Sequence, residues 1–345
     1  MFAAPGRHAT GPGDGKTVRS ADVLQRFWRM AGRWQTIVGG GATMINRRDL
    51  FVVVAAVATV SSCGVGRNPV TIRLGSGRVN GLFHEIAQLF AAVAAESGTV
   101  HVDPVVTAGS QMNLDLLARG EIDAALALAD SVYESQTRPL AIGRLYEVYL
   151  QMAVLADSAI QQVGDLRGKR VDLGVVGSGA AMTAERVLRA AGLDPTVDVV
   201  AGPRQLAGAV EALHSGEADA ILWGGGVPTP GLDIPRRIRL IDLGEFPQMM
   251  REQFGYHYDR VVIHQNAYPG GPAVSTVGIP NLLLVAPTIA HSAVVAITEL
   301  LLRYPDSLVP EHAKGFQFLD RRWLVGTRDV PLHPAAADLY RSWRD

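Results

Sequence analysis

Leu117-Ala118-Arg119-Gly120-Glu121-Ile122-Asp123-Ala124 returns 96 positions later as Leu213-His214-Ser215-Gly216-Glu217-Ala218-Asp219-Ala220. In both copies a helix-compatible run meets a glycine, the residue that most readily takes the left-handed conformation ending a helix. An apolar stretch follows each aspartate, as when a helix feeds a buried parallel strand. Glycine loops at Gly75-Ser76-Gly77 and Gly177-Ser178-Gly179 stand about one such interval apart. Two matched features at one spacing predict a structural duplication. Each unit reads strand, glycine loop, helix, strand, helix, Gly-Glu-x-Asp-Ala, strand.

Outward from these anchors, residues 70–74, 100–107, 124–129 and 145–155 read as strands of a first cycle. Helices are expected over 81–97, where Ile86, Leu89, Phe90 and Val93 share one face, and over 111–119. The second cycle has strands at 171–175 and 220–223, with helices at 180–191 and 206–214. The apolar stripe at 289–302 reads as core packing. Two similar α/β lobes create a cleft, and in open parallel sheets ligands sit beyond the carboxyl ends of the strands. Both glycine loops lie there, each opening a helix whose free N–H groups favour an anion. The pattern suits a carboxylate gripped by two helix ends.

Composition narrows the classes. The chain has 345 residues, is 48% hydrophobic and 19% charged, and has a formal net charge of -1. It is too apolar for a disordered protein and lacks the basic excess of a nucleic-acid binder. Residues 1–62 hold eight basic and three acidic side chains, so the remainder carries a charge of about -6. An anionic ligand must therefore be held by local features. The single cysteine, Cys63, excludes a disulfide framework and a multi-cysteine zinc site.

The N-terminal stretch has its own logic. Arg47-Arg48 precedes an apolar run at 51–60 and then Ser61-Ser62-Cys63. A basic region, a short apolar region and small residues make a signal peptide, too short to span a bilayer that needs roughly 20 residues. Met44 gives that signal a normal length, so residues 1–43 are expected to be a mis-called start or disordered. Val60-Ser61-Ser62-Cys63 resembles the bacterial lipobox, which implies lipidation of Cys63 at the end of the 44–63 signal. Arg47-Arg48 resembles a twin-arginine signal in part, and an ordinary export signal fits as well.

Catalytic patterns are missing. The histidines form no metal-binding pair, and no Gly-x-Ser-x-Gly elbow, P-loop or dinucleotide fingerprint occurs. The expectation is no enzyme, no metal and no cofactor.

Five motifs in order carry a resemblance over residues 70–345. They are Gly75-Ser76-Gly77 with Gly81-Leu82-Phe83, then Thr107-Ala108-Gly109-Ser110-Gln111-Met112-Asn113, then Asp165 to Val171 with Gly174 to Gly179. Trp223 to Pro230 and Pro331 to Tyr340 complete the set. The chain resembles the TAXI group of extracytoplasmic solute receptors, which serve TRAP transporters. The resemblance implies a type II periplasmic-binding-protein fold, two α/β lobes joined by a hinge with a ligand cleft between them. It assigns 69–163 plus 275–345 to one lobe and 164–274 to the other. It implies a small carboxylate or amino-acid-like ligand, a TRAP membrane subunit as partner, and a lipid-anchored, extracytoplasmic location. A ligand-sensing or interaction lipoprotein of the same fold is the alternative. The family's usual loop tyrosines are replaced by Phe83-His84, Ala180 stands where threonine is usual, and Asp130 lacks the preceding glutamine.

The candidate ligand-binding residues are Ser76, Gly77, Arg78, Phe83, Thr107, Ser110, Asn113, Gly177, Ser178, Gly179, Trp223 and Thr229. Arg78 reads as a carboxylate clamp or a solvated loop arginine. Ser110 and Ser178 read as helix caps, as ligand contacts, or as both. Trp223 walls the cleft or fills the core, and Phe83 has the same two readings. His333 reads as structural or part of the hinge. Peptide mapping of the protein from native cells is expected to find nothing from residues 1–40; such a peptide would place the start at Met1.

Overall fold

In the computed structural model the described residues are 70–343, apart from 231, 233, 235 and 314–318. The export signal and Cys63 lie outside them. The first cycle comprises β1 (Val70–Gly77), α1 (Leu82–Ser97), β2 (Val100–Val106), α2 (Ser110–Ala118) and β3 (Ala124–Leu128). A short α3 (Ala129–Glu134) leads into the long β4 (Leu140–Leu155). The second cycle repeats the order with β5 (Arg170–Asp172), α4 (Gly179–Ala190), β6 (Val200–Gly202), α5 (Leu206–Ser215) and β7 (Ala220–Gly225). Then come β8 (Ile238–Ile241), α6 (Phe246–Phe254), β9 (Asp259–Ile263), β10 (Val274–Val285), α7 (His291–Arg303), α8 (Arg321–Leu324) and α9 (Pro334–Ser342).

The strands form one sheet in the order β2-β1-β3-β10-β4-β7-β5-β6, with β8 beside β4 and β9 beside β10. Read inward from either end, each cycle contributes its second, first and third strands. The helices are built as their sequences dictate. α1 buries Ile86, Phe90 and Val93 and stops at left-handed Gly98, while α7 buries Val294, Ile297 and Leu301. β3 is buried at every position, as expected of a strand covered on both faces.

The duplicated motif has one geometry in both copies. Gly120 and Gly216 both take positive φ, 70° and 75°. Asp123 then accepts the backbone N–H of Arg73 and two guanidinium bonds, at 2.8–2.9 Å. Asp219 does the same for Arg170 at 2.7–3.0 Å. Each aspartate returns its own N–H to the carbonyl of its arginine. These hydrogen bonds hold both carboxyls below the usual carboxylate range. The bidentate clasp fixes where β3 starts against β1 and β7 against β5.

β4 and β10 belong to both halves. Residues 281–285 of β10 pair with β3 and residues 274–278 with β9. Residues 149–155 of β4 pair with β7 and β8. Together these give the two-lobed type II periplasmic-binding-protein architecture, with the two strands as the connection. At that connection Glu147 is buried and paired with Arg144. Arg144 also lies 3.8 Å from Asp259 and 3.8 Å over the Trp323 ring. Arg328 pairs with Asp259.

Burial pushes the Glu147 carboxyl up to about 7 from 4.5, outweighing the Arg144 charge. Folding therefore takes up a proton here across that window, and stability falls as pH rises through it. Glu147→Gln removes this contribution. Urea unfolding should show a smaller loss of stability between about pH 5 and about pH 7.5 in the variant; an unchanged slope would contradict the assignment.

Candidate functional site

The carboxyl end of β1 is stitched to the loop after β2. Ser76 is fully buried and donates to the Val105 carbonyl at 2.9 Å, with His84 Nδ1 at 3.0 Å. Thr107 Oγ1 accepts the Gly77 N–H at 3.0 Å and the Gly109 N–H at 3.2 Å, and donates to Asn113 Oδ1 at 2.6 Å. Asn113 Nδ2 donates to the carbonyls of Gly75 and Leu126. Thr107 and Asn113 are thus engaged inside the first lobe and position its loops.

Two helix N-termini meet across the seam between the lobes. α2 starts at buried Ser110 after Gly109, whose φ of 127° suits glycine, and no side chain caps it. Ser110 Oγ instead accepts the Leu128 N–H at 3.0 Å. α4 starts at Gly179, where Ser178 Oγ caps the Ala181 N–H at 3.1 Å. A Cβ on Gly109 would lie 3.3 Å from Ser178 Cα, and one on Gly177 would lie 3.6 Å from Ala108 Cβ. A Cβ on Gly179 would lie 2.5 Å from Ser110 Oγ, 2.8 Å from Ser131 Oγ and 3.0 Å from Leu128 Cδ1. Each helix end carries about half a positive charge, so the facing pair attracts an anion more strongly than either end alone.

The connecting strands add polar groups that the sequence reading did not single out. Asn281 of β10 is register partner to Tyr146 of β4 and to Leu128 of β3. Directly paired residues share a sheet face. Asn281 and Tyr146 are almost wholly buried. Neither end of the Asn281 amide nor the Tyr146 hydroxyl has a hydrogen-bond partner among the described residues. Burial raises Tyr146 well above the ordinary tyrosine range, so it stays a neutral donor. Phe83 meets Tyr146 edge-on at 6.3 Å, and a Cβ on Gly77 would lie 3.2 Å from Phe83 Cβ. The buried Nε of Arg78 is also without a partner among the described residues. An unsatisfied buried polar group costs about 1–3 kcal/mol, so each of these groups calls for a partner. The available sequence signal was one asparagine inside the apolar run of β10.

Trp223 and Thr229 belong to a different network. Trp223 Nε1 donates to Thr229 Oγ1 at 3.1 Å, and the Thr229 N–H donates to Tyr268 OH at 3.0 Å. Tyr268 OH donates to Gln151 Oε1 at 2.6 Å. Trp223 packs in an apolar cluster with Ala209, Leu213 and Tyr268. The adjacent Gly224 faces Ala180 of α4 instead, where a Cβ would lie 2.9 Å from the Ala180 Cβ. The loops bearing Ser76, Gly77, Phe83, Thr107, Ser110, Asn113 and Gly177 to Gly179 come together, and Thr229 donates to the Gly226 carbonyl at 2.8 Å, where a Cβ on Gly226 would lie 3.5 Å from Leu82 Cδ2 beside Phe83. A groove of about 370 Å³ along β5 and β6 is lined by Arg170, Asp172, Arg204 and Glu217. Arg204 is already paired with both acids. Among the described residues no group of His, Cys, Asp or Glu is placed to hold a metal ion, and no helix is long and apolar enough to cross a membrane.

The model of the NMT1-like family matches residues 81–342. Among solved structures, the periplasmic aliphatic sulphonate binding protein SsuA of Escherichia coli is 18% identical, over 80% of this chain and 84% of that one, at a TM-score of 0.44. The alkanesulfonate-binding SsuA of Xanthomonas axonopodis pv. citri, bound to MOPS, is 19% identical over 72% and 80%, at 0.43. The substrate binding protein of an amino acid ABC transporter is 16% identical over 67% and 91%, at 0.42.

Gly179→Ala drives a methyl group into Ser110 and Ser131 across the seam. The cost expected of such overpacking is about 1–3 kcal/mol, read by chemical unfolding; unchanged stability would mean that the seam is looser than described.

Proposed function

The chain belongs to the NMT1-like family, which is of the periplasmic substrate-binding type, and on that premise we propose that it captures a small carboxylate or amino-acid-like solute between its lobes and delivers it to a TRAP-type secondary transporter. One observation carries this reading. The N-termini of α2 and α4 meet at Ser110 and Gly179, and Ser110 accepts from Leu128, the register partner of Asn281, whose amide, like the Tyr146 hydroxyl paired beside it, is buried with no partner among the described residues. Helix N–H groups and Arg78 suit a carboxylate. The Asn281 amide and Tyr146 hydroxyl suit the polar remainder of a small solute. Because Ser110 and Gly179 touch, a solute enters when the lobes separate and is enclosed when they close, a hinge transition of known kind.

The five-motif resemblance supports a TRAP-type partner. Cys63 behind Ser61-Ser62 supports a lipid anchor that holds the receptor outside the cytoplasmic membrane. Single acylation binds membranes only reversibly, so a diacylglycerol on Cys63 is the anchor that this role requires. The second reading, a ligand-sensing or interaction lipoprotein, has its own support. The lobes are already fastened to each other by the chain's own carboxylate, since Asp130 accepts from Thr183 at 2.7 Å.

A thermal-shift screen of residues 64–345 against amino acids and di- and tricarboxylates tests the capture of a solute that the transport reading requires. A solute at 100 times its Kd should add about 2.7 kcal/mol of stability. Arg78→Ala and Asn281→Ala should each weaken that solute at least tenfold while the protein stays folded. If no small solute moves the melting temperature, the transport reading fails; if affinity is unchanged in both variants, the site lies elsewhere.

A further inference from the structure

Asp130 has no exposed surface. It stands on α3, which follows β3 of the first lobe. Its carboxylate accepts from Thr183 Oγ1 at 2.7 Å and from Tyr258 OH at 3.0 Å. Thr183 lies on α4 and Tyr258 just ahead of β9, so both donors come from the second lobe. Arg186, one turn beyond Thr183 and also buried, donates to Tyr258 OH at 2.5 Å and pairs with Glu134 at the far end of α3. Two polar links therefore cross the seam, from Asp130 to α4 and Tyr258, and from Glu134 to Arg186. The neighbour of Asp130, Ser131, abuts Gly179 at the start of α4. A buried carboxyl is thus held beside the first turns of the helix whose N-terminus faces α2.

The solute reading asks for a negative group near this helix end, and Asp130 already supplies one from within the chain. We propose that Asp130 is a built-in anion that fastens the two lobes across the seam, an autoinhibitory contact that must break before a solute reaches the facing helix ends. The inference rests on the solute-binding reading for its purpose, but the contact itself does not. It follows that closure of the lobes is encoded in the polypeptide, and that a solute's carboxylate competes with an internal one. Thr183 and Tyr258 are the donors that the two anions share or exchange.

Amide hydrogen exchange on the full chain, with no solute added, reads the latch directly. Asp130→Asn keeps the size and removes the charge, so the hydrogen bonds from Thr183 and Tyr258 to its Oδ2 lose their charge assistance. Exchange should rise at least tenfold at residues 179–186 and 129–134, and stay unchanged in β1 and β3. Tyr258→Phe removes one donor and keeps the charge, and should produce the same pattern more weakly. Unchanged exchange in α4 for both variants would overturn the proposal, and so would a uniform rise across the chain. Because no solute is present, a failed solute screen with the predicted exchange pattern would sink the transport reading and leave the latch standing.

Discussion

Residues 277–285 of β10 run antiparallel to residues 140–150 of β4, and every other strand is added to one side or the other of that pair. The first lobe grows outward from β10 through β3, and the second from β4 through β7. The pair is buried along nearly its whole length. Its ladder is interrupted by a register shift between Asn281 and Leu282, beside the asparagine whose amide has no partner among the described residues. Shifts of this kind bend a strand and re-aim a side chain. The mechanical connection and the polar floor of the candidate site are therefore the same few residues.

Around that connection the chain uses one local device twice. A left-handed glycine ends a helix, and an aspartate three residues on clasps the arginine of the neighbouring strand. This sets the strand ends so that both glycine loops arrive at the seam, where α2 and α4 begin. Small residues there let two helix ends of the same polarity approach. That approach is electrostatically unfavourable, and the buried carboxyl of Asp130, which accepts from Thr183 of α4, lies beside it.

Legibility in the sequence followed distance along the chain. The Gly-Glu-x-Asp repeat could be read because its glycine, aspartate and helix lie within eight residues, and the expected strands and helices around it are present. β10 was not read as a strand. Pro280 and Asn281 interrupt its apolar run, and its partner β4 lies well over a hundred residues away. β4 starts at Leu140 rather than at Leu145, because pairing with β10 extends it. Trp223 is buried in an apolar cluster with Tyr268, far along the chain, and bonded to Thr229, six residues on. Asn113 and Thr107 were visible as loop residues, but their mutual bond depends on β1 and β3 coming together. Tyr146 and Asn281 acquire meaning only as cross-strand neighbours, which no local pattern announces.

The central claim is that solute, helix ends and connecting strands meet at one place. Nitrogen-detected NMR of the mature chain, titrated with a pool of amino acids and di- and tricarboxylates, addresses it most directly. The account predicts that the Asn281 side-chain amide and the backbone N–H groups of Ser110 and Gly179 shift together along one binding curve. Shifts that leave all three resonances in place, while others move, would contradict it.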